Sequence, residues 1–444
     1  GNNTDNYSSL SAWGLAFGCV IGWGSFVMPG TTFLPVAGSV GTALGMCVGA
    51  VIMLIIGVNY HYMMKQYQDA GGTFSYTKQV FGYDHGFLSA WFLLLTYVAI
   101  IWANATALPL IARYVVGDAF QVGFLYRVAG YDIYLGEIAL AVGALLVAAL
   151  VCLRNRVASL VQIAMGILLL GGIAACFALT SAGGGDALAE AATPPFAPGT
   201  PAWQGVGTVI ALAPWAYVGF ESICHSSVEF DFSPKRGLGI IVAAIAAAAV
   251  AYGLLVLLAV QVQPEGCATW YEYVQSLGSH EGLEGLPTFF VARTLAGRMG
   301  TWLLGLAATG AIMTGLVGNF VASSRLLYAL AADDMLPAWF GKVSDARVPR
   351  NAIVFLLGIS VALPFFGRTA ISWIVDVTTV SATIAYAYAS AASLKTARQQ
   401  QDRRMVVFGA AGLGISLLFA FCFLAPNLMA VTTLSAESVV TAMR

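Results

Sequence analysis

Apolar runs long enough to cross a bilayer recur along this chain, and they constrain its fold more than any other feature. A helix needs about 20 apolar residues to span the hydrocarbon. Eleven runs reach or approach that length, at 10–38, 41–64, 86–114, 133–153, 157–180, 203–230, 237–262, 300–331, 350–366, 370–394 and 405–430. Backbone polar groups in lipid must be satisfied within the protein, which leaves only helices or a closed barrel. Barrel strands alternate apolar and polar residues, and that alternation is absent. The predicted class is an all-α, polytopic membrane protein. The charge content agrees, because 20 Lys or Arg and 21 Asp or Glu in 444 residues cannot cover a soluble surface.

Several functions drop out at once. A net charge of −1 offers no field for nucleic acid. Of the seven Cys only Cys267 falls in a long polar loop, so no disulfide framework is implied. No Cys/His cluster has metal-ligand spacing, and no loop is large enough for a soluble catalytic domain. The first run is too long for a cleaved signal peptide and more spans follow it.

Lys and Arg orient the chain. With a cytoplasmic N-terminus the loops sort fourteen basic residues inside, from Lys65 to Arg404, against six outside: Arg113, Arg127, Arg293, Arg298, Arg368 and Arg444. The positive-inside rule prefers that choice. The expected location is the cytoplasmic membrane, multi-pass, with lipid as neighbour.

Two spans have interrupted middles. The first reads Gly18-Cys19-Val20-Ile21-Gly22-Trp23-Gly24-Ser25-Phe26, then Met28-Pro29-Gly30. The sixth reads Ala213-Pro214-Trp215-Ala216-Tyr217-Val218-Gly219-Phe220-Glu221. Gly and Pro weaken the helical ladder and free backbone groups that are costly in lipid unless a ligand or neighbour meets them. Alone, either site reads equally well as close packing or a kink. As first members of two five-helix sets they point to a carrier site, where helix N-terminal ends suit a carboxylate and freed carbonyls suit an amine. Glu221 is an intramembrane acid, expensive and functional by default. It could carry a proton, meet a cationic substrate group, or act as a strut to helix one. His225 lies one turn later on the same face, as a relay or as a packed neutral ring.

These motifs resemble the amino acid–polyamine–organocation transporter superfamily. GCVIGWGSFVMPG is similar to its first-helix signature, and GGTFSYTKQVFG at 71–82 to its first inner loop. PWAYVGFESICHSSVEFDFSPKRG matches its sixth helix, and SSRLLYALAADDMLPAWFGKV at 323–343 its eighth-helix exit. Trp23 departs from the small residue usual between the two glycines, and eleven spans depart from the usual twelve. The resemblance implies a LeuT-type 5+5 inverted repeat with discontinuous helices one and six: residues 10–180, then 203–394, with an additional helix in 395–444. It also implies a substrate carboxylate on the amides of Trp23, Gly24 and Ser25. The amine would meet carbonyls of Ile21 and Gly22, and of Tyr217 and Val218 beside Gly219. Trp215 falls at an outer gate, Asn104 at a third-helix contact position, and Thr314 with Gly315 near a cation position.

The expected function is a secondary transporter, symporter or exchanger, of an amino acid or small amine by alternating access. No cofactor is expected beyond Na+ or H+ as coupling ion. The fifth run carries no Lys, Arg, Asp or Glu, so a lysine in place of sodium is excluded. The rivals are a non-transporting sensor or binding subunit and a polyamine antiporter. A membrane enzyme lacks a nucleophile–base pair. A homodimer is left open.

Overall fold

The computed structural model describes residues 6–432, and their side chains except those of 368–377 and 426–432. Each of the eleven apolar runs holds one or more helices. Among the described residues, seven helices are long and apolar enough to cross a membrane, and a bent pair, Ala202–Ala211 with Ala213–Glu229, makes an eighth. The shorter apolar helices Ser9–Val20 and Arg350–Phe366 fall on the first and ninth runs. The tenth and eleventh runs are Arg368–Gln399 and Arg403–Thr432. Asp376, an acid of the tenth run, lies outside the described side chains.

Spans alternate in direction, which defines a near face holding the N-terminus and a far face opposite. Span one is Ser9–Val20 followed, after a break, by Gly24–Met28 and the wide turn Pro29–Phe33. Span two runs within Leu34–Gln66, past a corner at Gly38. Tyr83–Val116, Leu135–Cys152 and Asn155–Thr180 are spans three to five, and Gly237–Ala259 is the seventh. Pro287–Ala332 is bent at Gly297, separating a short far-face helix from span eight. The amphipathic FSYTKQVFG segment is the near-face helix Thr73–Phe81.

Two details differ from the sequence reading. The fourth run is preceded by a hairpin, Phe124–Val128 paired with Tyr131–Tyr134, whose second strand takes its first two residues, and it turns helical only at Leu135. Arg127 faces Asp132 across that hairpin, and its guanidinium holds the Asp132 carboxyl below the usual carboxylate range. Arg325, counted with the near-face loops, lies inside the bundle at 2% exposure. Span eight is almost wholly enclosed and therefore forms the centre of the core.

Candidate functional site

The two breaks lie against each other. In span one the helix stops at Val20, Ile21 is extended, and the ladder restarts as Ser25 N–H donates to Gly22 O (3.2 Å) and Phe26 N–H to Trp23 O (3.0 Å). In span six the helix Ala213–Tyr217 stops at an extended Val218. Gly219 then adopts φ +117°, and the chain restarts as the tighter helix Phe220–Glu229. A side chain at Gly219 would be strained, and its Cβ would lie 2.7 Å from the Cys19 carbonyl. Only glycine lets span six approach span one this closely.

Around this junction the expected residues gather, with some changes of role. The Trp215 ring lies over the restart of span one, so a Cβ at Gly24 would meet its Cζ2 at 2.7 Å. It stays partly accessible, tilted against Tyr252 of span seven. Asn104 fills the gap between Gly22 and Gly315. Its Nδ2 donates to Ile100 O (3.1 Å), and its Oδ1 accepts the Trp23 N–H at 3.4 Å. That amide, expected to meet a carboxylate, thus already faces an acceptor. The Gly22 carbonyl receives both the N–H and the hydroxyl of Ser25. Ile21 and Ser25 are buried at the break, while Val218 is partly accessible. The Tyr217 side chain points away, its hydroxyl donating to Met46 O of span two (2.9 Å), so only its backbone can serve the site.

Among the described residues Glu221 takes its hydrogen bonds from its own span and from spans three and ten. Its Oε2 accepts the Gly219 N–H at 3.0 Å, because the left-handed turn aims that amide back at the side chain two residues on. Tyr97 of span three and Tyr386 of span ten donate to its oxygens at 3.4 and 3.3 Å. The carboxylate is 1% exposed, closes its own helix break, and ties that break to two other spans.

Thr314 turns its hydroxyl to Gly310 and Ala311 of its own helix. Its carbonyl receives Gln162 Nε2 of span five at 3.1 Å. The Gln162 amide sits between Gly18 and Gly318, where Cβ atoms would lie 3.0 and 3.2 Å from that nitrogen. Sequence reading passed over Gln162; a lone amide in an apolar run was the available signal.

A cluster of side chains flanks the junction on each side. On the far side the Trp23 ring turns outward to Phe26, Tyr114 and Phe289, with centroids 6.1–6.5 Å apart. Phe289 belongs to the short far-face helix, and the neighbouring Thr288 hydroxyl donates to Phe26 O (2.9 Å). On the near side Arg325 donates to Glu229 through Nε (3.1 Å) and Nη2 (3.0 Å), and to Asn155 Oδ1 (2.9 Å). Asn155 Nδ2 donates to Glu229 (2.6 Å), and the Tyr7 backbone pairs with Glu229 and Asp231. This network joins the start of span one to spans five, six and eight. The S-R pair at 324–325 was its sequence signal. Among the described residues no group of three His, Cys, Asp or Glu could hold a metal.

Comparison with known proteins identifies the family and the fold. A family model described as amino acid permease matches residues 7–442. A branched-chain amino acid permease of Lactococcus lactis is 24% identical over 363 residues, 79% of this chain and 74% of that protein. A cationic amino acid transporter of Arabidopsis thaliana, described as mitochondrial, is 22% identical over 380 residues, 79% of this chain and 56% of that protein. Among solved structures, a Na+-coupled sialic acid symporter in a substrate-bound, outward-open state superposes with a TM-score of 0.61. It is 13% identical, over 94% of this chain and 89% of that one, so the likeness is one of fold.

Proposed function

The chain belongs to the amino acid permease family of membrane transporters, and we propose that it is a secondary carrier that moves a small neutral amino acid by alternating access. The observation that carries this reading is the contact between the two breaks, with Gly219 on the Cys19 carbonyl and Trp215 over Gly24. Broken helices at matching places in two halves are where carriers hold a zwitterion. Substrate would bind beside Gly24 and Val218, its carboxylate displacing Asn104 Oδ1 from the Trp23 amide. Trp215 would cover it from the far side. The near face is cytoplasmic by the sorting of basic residues, so the aromatic cluster closes the outer side and the Arg325 network the inner side.

Two features support the choice of substrate and coupling. Glu221 is engaged by three donors, which leaves it poorly placed to pair with a cationic side chain and favours a neutral substrate. The Gln162 amide already donates to the Thr314 carbonyl, so a sodium ion there would have to displace it. Proton coupling or exchange fits better.

The test is counterflow into liposomes holding the purified full chain, with labelled neutral, cationic and acidic amino acids and choline replacing sodium. Uptake of a neutral amino acid without sodium is expected. Ligand-induced thermal shifts without flux of any of them would instead establish a binding subunit.

A further inference from the structure

One hydroxyl ties Glu221 to the cytoplasmic face. Tyr97 Oη lies 3.4 Å from Glu221 Oε1 and 3.2 Å from His225 Nε2, and His225 Nδ1 lies 2.8 Å from the Ala70 carbonyl. A carbonyl only accepts, so a neutral His225 carries its proton on Nδ1 and offers Nε2 as acceptor. Tyr97 has one proton and, while Glu221 is ionised, two acceptors. It can serve only one, and the other is left short of a donor in a buried place. A proton on Glu221 removes the conflict. The carboxyl O–H then donates to Tyr97 Oη, and Tyr97 donates to His225 Nε2.

The inner loop is built onto that ring. Gly72 has φ +54°, and a Cβ there would lie 2.8 Å from His225 Cε1, so the second glycine of the Gly71-Gly72 pair lets the backbone lie on the imidazole. Tyr97 meets the ring edge to face, with centroids 5.5 Å apart. The charged groups that act on the ring are Asp69 of the same loop and Arg325 of span eight. Around Glu221 stand Tyr97, Tyr60 and Tyr386, with Cys19 and Cys224 behind.

We infer that Glu221, Tyr97 and His225 form a proton line from the sixth-span break to the loop at 69–73, with His225 as its cytoplasmic end. This rests on the carrier reading above. The Glu221 O–H bond breaks as its proton passes to Tyr97 Oη, and the original Tyr97 proton passes to His225 Nε2. A carboxylate and an imidazolium result. The imidazolium returns its extra proton to cytoplasmic water when the inner half of span six parts from the loop. His225 is a positioning and relay residue and does not touch the substrate.

The experiment uses liposomes holding the full chain, with the amino acid that counterflow identifies, and an inward gradient of about one pH unit, which limits one-to-one coupling to about tenfold accumulation. Wild type is expected to accumulate substrate toward that limit. His225→Gln should exchange substrate yet accumulate none, a ratio near one. Tyr97→Phe, which keeps the ring and removes only the hydroxyl, should do the same and decides the matter if His225→Gln does not fold. Accumulation by either folded variant at the wild-type ratio overturns the proposal. So does wild-type exchange that ignores the pH gradient, an outcome that leaves the carrier reading intact. Absence of any amino acid flux would instead sink the carrier reading.

Discussion

On the far side, the outer one in the proposed orientation, Trp23, Phe26, Tyr114 and Phe289 meet ring to ring, whereas on the near side, the inner one, Arg325, Glu229, Asn155 and Tyr7 meet through charge and hydrogen bonds. The two closures should fail in different ways. Aromatic pairs contribute about 0.5–1.5 kcal/mol each beyond their burial, and rings can slide while keeping some of it. A buried ion pair does not weaken gradually, because removing one partner strands the other charge. In the proposed carrier the outer closure would yield in steps, and the inner one would open only when water reaches both charges.

Removing the Arg325 guanidinium should break the comparison most severely. Arg325→Ala leaves Glu229, whose side chain is 15% exposed, without its cation, a loss approaching the about 3–5 kcal/mol of a fully buried pair, seen as a lower unfolding midpoint in detergent. Replacing both members, Arg325→Met with Glu229→Met, should recover most of that stability while the inner side leaks. A cysteine placed at Ser222 would report the leak as faster labelling from the cytoplasmic side. Equal stability of Arg325→Ala and wild type would contradict the network.

The outer closure predicts a smaller effect. Phe289→Leu keeps an apolar side chain and removes three ring contacts, with Trp23, Phe26 and Tyr114, each contributing about 0.5–1.5 kcal/mol to the closure. The expected result is a raised KM for uptake with stability little changed. Unchanged KM would mean that the cluster packs the protein and gates nothing.

The smallest effect sharpens the contrast on the inner side itself. Lys78 pairs with Asp333 on the same face, but both side chains are about a third exposed. Exposed pairs contribute about 0–1 kcal/mol, so Lys78→Met should leave transport and melting nearly unchanged. A loss as large as that of Arg325→Ala would show that charge, not burial, secures the inner face.

The spans and both breaks were legible in the sequence because Gly, Pro and apolar length act locally. Gly219 and Gly24 could be singled out before any contact was known. The residues that close the site were not legible as partners. Arg325 reaches Asn155 across 170 positions and Glu229 across 96, and no local pattern encodes such a meeting. Trp23 read as a departure from the small residue usual between the two glycines, and the direction of its ring depends on Tyr114 and Phe289 far along the chain. Glu221 stood out in the sequence as an acid within a span. The Gly219 amide that satisfies it follows from a backbone turn that composition does not reveal.

The central claim is that the paired breaks hold the substrate, and one measurement reaches it most directly. Gly24→Leu would drive a side chain into the Trp215 ring, where even a Cβ lies 2.7 Å away. Counterflow by the folded variant, compared with wild type in the same liposomes, should fall to background while its elution and helical content stay unchanged. Uptake by Gly24→Leu at the wild-type rate would contradict the account and place the substrate elsewhere.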